Sequence, residues 1–470
     1  MCKSACTQAP YLYFNRINSQ NGLSHNKVNC ILQDQRGFIW MGTDDGLNRY
    51  DGRRFVVFRH EPGNNASISG NIITDLVEDE KGILWIATSD GGLSKYDYRL
   101  SPDKQFKQYR HIPGDPASIP VNIINDLLQD AYGYLWLATG GNSVLRFDKS
   151  AEIFQQPDRM GTKTALKMCL DVNNVLWVGR QGGSILKVNT KTLACEYDPR
   201  YMNLYSGLPH ATVTALYKDA KDQIWFGSWD NELYRYNPLT QHEEVFNQRS
   251  SAFFPNEEAS AFSEDKEGRL WIGGRYAGLT LYDPNQNLFF NYRYDPSKEG
   301  SIADDQVNCI FRCRNGMFWI GTNKGVSVYN PLQQSFVQTF LPADKKTTIH
   351  DFYEEGNGDL WIGTSNGIYM QKSGTQNFLH HPLSYKGEPL SVTKFFTDSK
   401  GNFYIGTNYS LFVYDKKTNR ISLLPNTEKD PVMRKIIDSR VVSITEDIIE
   451  GNPVLLVSPY GHYITYYDFK

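Results

Sequence analysis

The chain has 470 residues, a formal net charge of −3, and 21% charged and 13% aromatic residues. That length leaves room for more than one domain. The charge balance supplies neither a basic footprint for nucleic acid nor an acidic tail, and no apolar run is long enough to span a membrane.

The first ten residues, MCKSACTQAP, lack the apolar centre of a secretory signal, although their small residues are compatible with the end of one. Residues 11–17, YLYFNRI, read as a lone strand similar to later outer strands such as 55–60, FVVFRH. Residues 37–51, GFIWMGTDDGLNRYD, then open a pattern that returns at 82–97, 133–148, 268–283 and 316–330. Its anchors are Trp40, Trp85, Trp136, Trp177, Trp225, Trp271, Trp319 and Trp361, with Tyr404 standing in a ninth copy and a weaker tenth over 454–468. Neighbouring anchors lie 41 to 51 residues apart. That is the period of a four-stranded propeller blade.

Each copy reads as four short strands between Gly, Asp and Asn turns; in the second they are 73–78, 83–88, 93–97 and 106–110. In LWIAT, Leu84 and Ile86 point to one face and Trp85 and Ala87 to the other. Both faces are apolar, so both need covering, which neighbouring blades provide. The small residue two after each anchor leaves room beside the ring. The expected fold class is all-β, a β-propeller of about ten four-stranded repeats, forming one seven-bladed ring and part of a second propeller.

The expected organisation is a tail or signal remnant at 1–10, a seven-bladed propeller at 11–334, and about three blades of a second at 335–470. Residues 11–17 would be the outer strand of blade seven, and 335–340 would open the second propeller in the same way. Three blades leave exposed edges, so the chain is expected to continue in a longer protein. A single ten-bladed ring is the alternative, outside the usual range.

None of the seven cysteines has metal-ligand spacing. Cys30 and Cys309 share one repeat position, in VNCIL and VNCIF, and read as small core residues, with an inter-blade disulfide as the alternative. Asp-x-x-Gly turns such as 34–37, 79–82 and 265–268 lack the alternating carboxylates of a calcium loop. They read as structural turns in which Asp accepts local backbone N–H groups. No metal and no cofactor is expected.

The recurring D-x-x-G-x-[LI]-W-[IV]-G-T-x-x-G-L-x-x-[YF]-D resembles the two-component regulator propeller repeat, and residues 22–52 follow it nearly to type. The resemblance runs over nearly the whole chain. It implies the periplasmic sensor region of an inner-membrane histidine kinase, commonly a hybrid system with two seven-bladed propellers ahead of a small β-domain, a membrane helix and kinase modules. In glycan-degrading bacteria it implies oligosaccharide sensing and control of polysaccharide-utilisation genes, with a homodimeric receptor. This chain stops after about ten repeats and contains no kinase motif, so its partners are expected to be an oligosaccharide and the remainder of the sensor.

The turn between the second and third strands and the lead-in to the innermost strand share the face around the channel mouth. Thr43, Thr322 and Thr364 keep the Gly-Thr-x-x-Gly turn. Three consecutive repeats break it, with Arg180 and Gln181, then Trp229 and Asp230, then Arg275 and Tyr276. Aromatic faces stack on sugars and arginine forks bind carboxylate or sulfate, so these residues are candidate contacts to an anionic oligosaccharide. Ordinary surface variation or contacts to a partner domain is the competing reading. His25, His210, Asn256 and Asp304 share a position in the lead-in, where polar groups cap strand starts; His210 is the candidate ligand contact. A propeller lyase would need an acid and a base there, and His25, His210 and Asp304 are the available groups. No nucleophile or paired-carboxylate motif accompanies them, which leaves a sensor without catalysis ahead of an enzyme or an interaction scaffold.

Overall fold

A computed structural model describes the chain except residues 1–8, 159, 183–184, 198–211, 230, 248–257, 333–340, 343–345, 376, 460, 462–463 and 468–470. It divides into two compact units, residues 1–337 and 338–470.

Among its described residues the first unit contains seven four-stranded antiparallel sheets. Blade two is representative, with strands Ile73–Glu78, Leu84–Thr88, Leu93–Tyr96 and Phe106–Tyr109 in sequence order from the channel outwards. Blade seven differs: its outer strand is Phe14–Ile17, paired with Gly325–Tyr329 in the register Phe14↔Tyr329 and Ile17↔Val326. The lone strand before the first repeat therefore closes the ring.

The covering of both strand faces is visible in the core. Leu84 and Ile86 pack with Trp40 of blade one, while Trp85 and Ala87 pack with Ile124, Leu127, Leu135 and Leu137 of blade three. Across the seam between blades six and seven, Trp271 stacks on Phe318 with ring centroids 4.1 Å apart. All eight anchor tryptophans are buried. The small residue after the anchor has a sharper role than making room for the ring. A Cβ on Gly273 would lie 2.6 Å from Val307 Cγ1, and one on Gly227 would lie 2.6 Å from Ala259 Cβ. Glycine here admits the first residue of the next blade's innermost strand.

A belt of hydrogen bonds links these innermost strands. The second residue of one strand donates to the first carbonyl of the next: Asn29 to Ile73, Thr74 to Ile124, Asn125 to Ala165, Thr214 to Ala259 and Ser260 to Val307. Asn308 Nδ2 donates to Val28 O at 3.0 Å and carries the belt across the closing seam. The apolar Leu166 occupies this position in blade four.

The Asp-x-x-Gly turns are structural. In blade three, Asp130 Oδ1 accepts the N–H groups of Tyr132 and Tyr134, while Oδ2 accepts the Trp136 indole N–H at 2.8 Å. The same Asp–Trp bond recurs in blades one to six. Cys30 and Cys309 are free thiols against Gly42 and Gly321 of their own blades.

Among its described residues the second unit has two four-stranded sheets, beginning at Ile349–Glu354 and Val392–Thr397, a two-stranded sheet of Ser384–Tyr385 and Glu388–Pro389, and a three-stranded sheet formed by Val441–Ile449, Asn452–Pro459 and Thr465–Tyr467. The seven-residue helix Pro431–Ile437, capped by Asp430, precedes that last sheet. Residues 335–340, expected to open this unit, lie outside the described residues. No helix among the described residues is long and apolar enough to cross a membrane.

Candidate functional site at the turns of blades four to six

One backbone bond defines the site's geometry. The first N–H after the second strand donates to the carbonyl just ahead of the same blade's innermost strand: Ser89 to Ile72, Gly140 to Ile123, Gln181 to Thr164, Trp229 to Thr212, Arg275 to Glu258 and Asn323 to Gln306. The turn and the lead-in are thereby tied on one face. The bond also aligns the blades, because Gln181, Trp229 and Arg275 occupy the same position on three successive blades.

Arg180 falls elsewhere. It ends the strand Val175–Arg180 rather than sitting in the turn, at the register of Thr43, Thr88, Thr139 and Thr322. Those threonines staple their turns: Thr43 Oγ1 donates to Gly46 O at 2.9 Å and Thr322 Oγ1 to Gly325 O at 2.8 Å. Arg180 is 2% exposed and donates from Nη1 to Met160 O at 3.2 Å. At this strand-end register its side chain is buried beneath the face. Nearby, Lys163 Nζ donates to Gly182 O at 2.7 Å, and burial, then the Arg180 charge, lowers its pKa.

Gln181 is exposed, Trp229 is 52% exposed and Tyr276 is 58% exposed. Arg275 pairs with Glu258 at 2.9 Å, and its guanidinium lies 5.9 Å from the centre of the Tyr276 ring. With the Arg275 side chain 49% exposed, such a pair is worth about 0–1 kcal/mol, too little to hold the arginine from another anion. Arg293 steadies the same turn, donating to Tyr276 O at 2.8 Å and pairing with Asp305 at 3.0 Å.

His210, Asp230 and Asn256 lie outside the described residues. His25 Nδ1 accepts the Lys27 N–H at 3.1 Å, and Asp304 Oδ1 accepts the Asp305 N–H at 2.9 Å, so both cap a strand lead-in. Among the described residues no group of three side chains is placed to hold a metal.

The strand registers reveal a second set of residues. Cys30, Asp75, Asp126, Lys167, Ala215, Ala261 and Cys309 all pair opposite the small residue that follows the anchor. They form one level of the channel lining, charged on blades two to four and small elsewhere. The signal was present in the third letters of VNCIL, ITDLV, INDLL, ALKMC, VTALY, ASAFS and VNCIF, of which only the two cysteines stand out by eye.

The sequence profile described as "Two component regulator propeller" matches residues 22–45, 67–90, 118–141, 207–230 and 254–276. The chain carries two-component regulator propeller repeats. A curated relative, histidine kinase P4 of Formosa agariphila, is 43% identical over 56 residues, 12% of this chain and 4% of that protein. Among solved structures, the extracellular domain described as that of a hybrid two-component system of B. thetaiotaomicron superposes with a TM-score of 0.71 at 21% identity, covering 97% of this chain and 65% of that one. Virginiamycin B lyase from Staphylococcus aureus superposes with a TM-score of 0.51 at 14% identity, covering 68% of this chain and 99% of that one. At these identities the two structures share the propeller fold with this chain. The chain spans 65% of the length of the two-component domain, and its match to the histidine kinase spans 4% of that protein.

Proposed function

We propose that this chain is the ligand-sensing part of a two-component receptor, located in the periplasm and continued by further modules that pair as a dimer. Its ligand is an oligosaccharide, anionic in kind, held at the turns of blades four to six. Trp229 and Tyr276 stack on sugar rings, Arg275 exchanges Glu258 for a ligand carboxylate or sulfate, and Gln181 and Asp230 donate and accept hydrogen bonds. His210 is a further candidate contact, and Arg180 supports the turn from beneath. Ligand capture then signals to polysaccharide-utilisation genes without catalysis in this chain.

The observation that carries this reading is the shared register of Gln181, Trp229 and Arg275. Three consecutive blades carry a large exposed side chain just after the second strand, where blades one, two and seven have Asp44, Ser89 and Asn323, and the same three blades have Arg180, Ser228 and Gly274 at the register of the stapling threonine. Folding alone favours the threonine staple that blades one, two, three and seven keep.

Calorimetry of the purified chain against neutral, uronate-containing and sulfated oligosaccharides, with product analysis of the same samples, tests it. Saturable heat with intact glycan is expected. Cleaved glycan would make the chain an enzyme, and no heat with any glycan would remove the oligosaccharide.

A further inference from the structure

The charged residues at the channel level meet across blade seams. Asp126 Oδ1 pairs with Lys167 Nζ at 2.7 Å, and Asp126 Oδ2 accepts the Met168 N–H at 2.8 Å. Asp126 of blade three thus clamps the innermost strand of blade four by its backbone and its lysine together. The second unit repeats the device: Asp351 accepts the Phe395 N–H at 2.8 Å and pairs with Lys394 at 3.0 Å. Aspartate on one blade and lysine on the next is the ordinary form.

The seam between blades two and three departs from it. Asp75 Oδ2 accepts the Leu127 N–H at 2.8 Å, as the device requires. The residue before Leu127 is Asp126, so a second carboxyl stands beside Asp75 where the device calls for a lysine. The titratable groups that act on this pair are Cys30 from blade one, Lys167 and Cys169 from blade four and, further round the ring, Cys309 from blade seven. Lys167 is the single cation among them and is already bonded to Asp126. Two charged carboxylates in contact repel, whereas one proton between them turns repulsion into a hydrogen bond.

We propose that Asp75 and Asp126 form a proton-held clasp between blades two and three, closed while they share one proton and loosened when both are charged. The clasp is independent of the ligand reading above. Burial, then the charge of Asp126, pushes the Asp75 carboxyl up to about 7. A raised folded-state pKa means that the native chain retains a proton which the unfolded chain releases above about pH 4. Stability from the clasp is therefore whole below that pH, falls as pH rises through about 7, and changes no further above. The loosened state frees the Leu127 N–H and weakens one seam of an otherwise continuous ring.

The test is the thermal midpoint of the whole chain between pH 5 and 8.5 for the wild type, Asp75→Asn and, as the reference for the ordinary device, Asp351→Asn. Asparagine keeps a hydrogen bond to Asp126 and does not titrate. The wild-type midpoint is expected to fall relative to Asp75→Asn as pH rises from 5 to about 7 and to run parallel with it above, with Asp351→Asn keeping the wild-type slope. Parallel curves for the wild type and Asp75→Asn would overturn the clasp. Should Asp75→Asn fail to fold, infrared titration of the wild type decides the matter. Loss of one protonated carboxyl band between about pH 6 and 8 supports the proposal, and its complete loss below about pH 5 overturns it.

Discussion

Cys313 stands six residues before Trp319, and the buried Trp319 indole N–H has no acceptor among the described residues. In blades one to six that position is an aspartate and the bond is made. Blade eight shows the same relation. Glu355 replaces the aspartate and pairs with Lys416 instead, and the Trp361 indole also lacks an acceptor among the described residues. A buried unpaired donor costs roughly 1–3 kcal/mol. Cys313→Asp is therefore expected to raise stability by about 1–2 kcal/mol, read as an upward shift in the thermal transition of the first unit. An unchanged or lower midpoint would show that burying the carboxylate outweighs the new bonds.

The converse change should be costly. Asp130→Ala removes the acceptor for two backbone N–H groups and one indole at once. A loss of about 2–4 kcal/mol is expected from denaturant unfolding, with Asp130→Asn intermediate. A loss well under about 1 kcal/mol would reduce this turn to decoration.

Close approach between blades makes a third case. Gly227→Ala places a methyl against Ala259 and should cost about 1–3 kcal/mol, because two backbones rather than one flexible side chain must give. Blades two and three already carry Ala87 and Ala138 at this position, so the effect is specific to the seam. Gly227→Ala with wild-type stability would contradict the packing described.

Ring closure rests on Phe14, which is buried and lies against Tyr329 with centroids 6.1 Å apart. Phe14→Ala should destabilise the first unit by about 3–5 kcal/mol. Removing residues 9–17 leaves the Gly325–Tyr329 edge unpaired, and self-association by light scattering is the expected outcome. A monomeric truncation of unchanged stability would disprove closure by this strand.

The blades were legible because Trp40 and its counterparts recur at the blade period and because LWIAT is apolar on both faces, which only neighbouring sheets can cover. The closing strand was legible too, since residues 11–17 look like an outer strand with no blade of their own. Arg180 was misplaced by one register, because sequence does not show whether a residue after the glycine still belongs to the strand or already to the turn. Asp75, Asp126 and Lys167 escaped notice for a different reason. Each is unremarkable in its own strand, and only pairing around a closed ring makes them neighbours.

The central claim is that the turns of blades four to six hold an anionic oligosaccharide. The most direct test is the affinity of the wild type, Trp229→Ala, Arg275→Ala and the double variant for whichever oligosaccharide binds, at low and high salt. Arg275→Ala should weaken binding by about 1–3 kcal/mol, and this loss should shrink as salt screens the charge. Trp229→Ala should weaken neutral and anionic glycans alike, since stacking does not depend on ligand charge. A double variant that binds its ligand as tightly as the wild type would contradict the account.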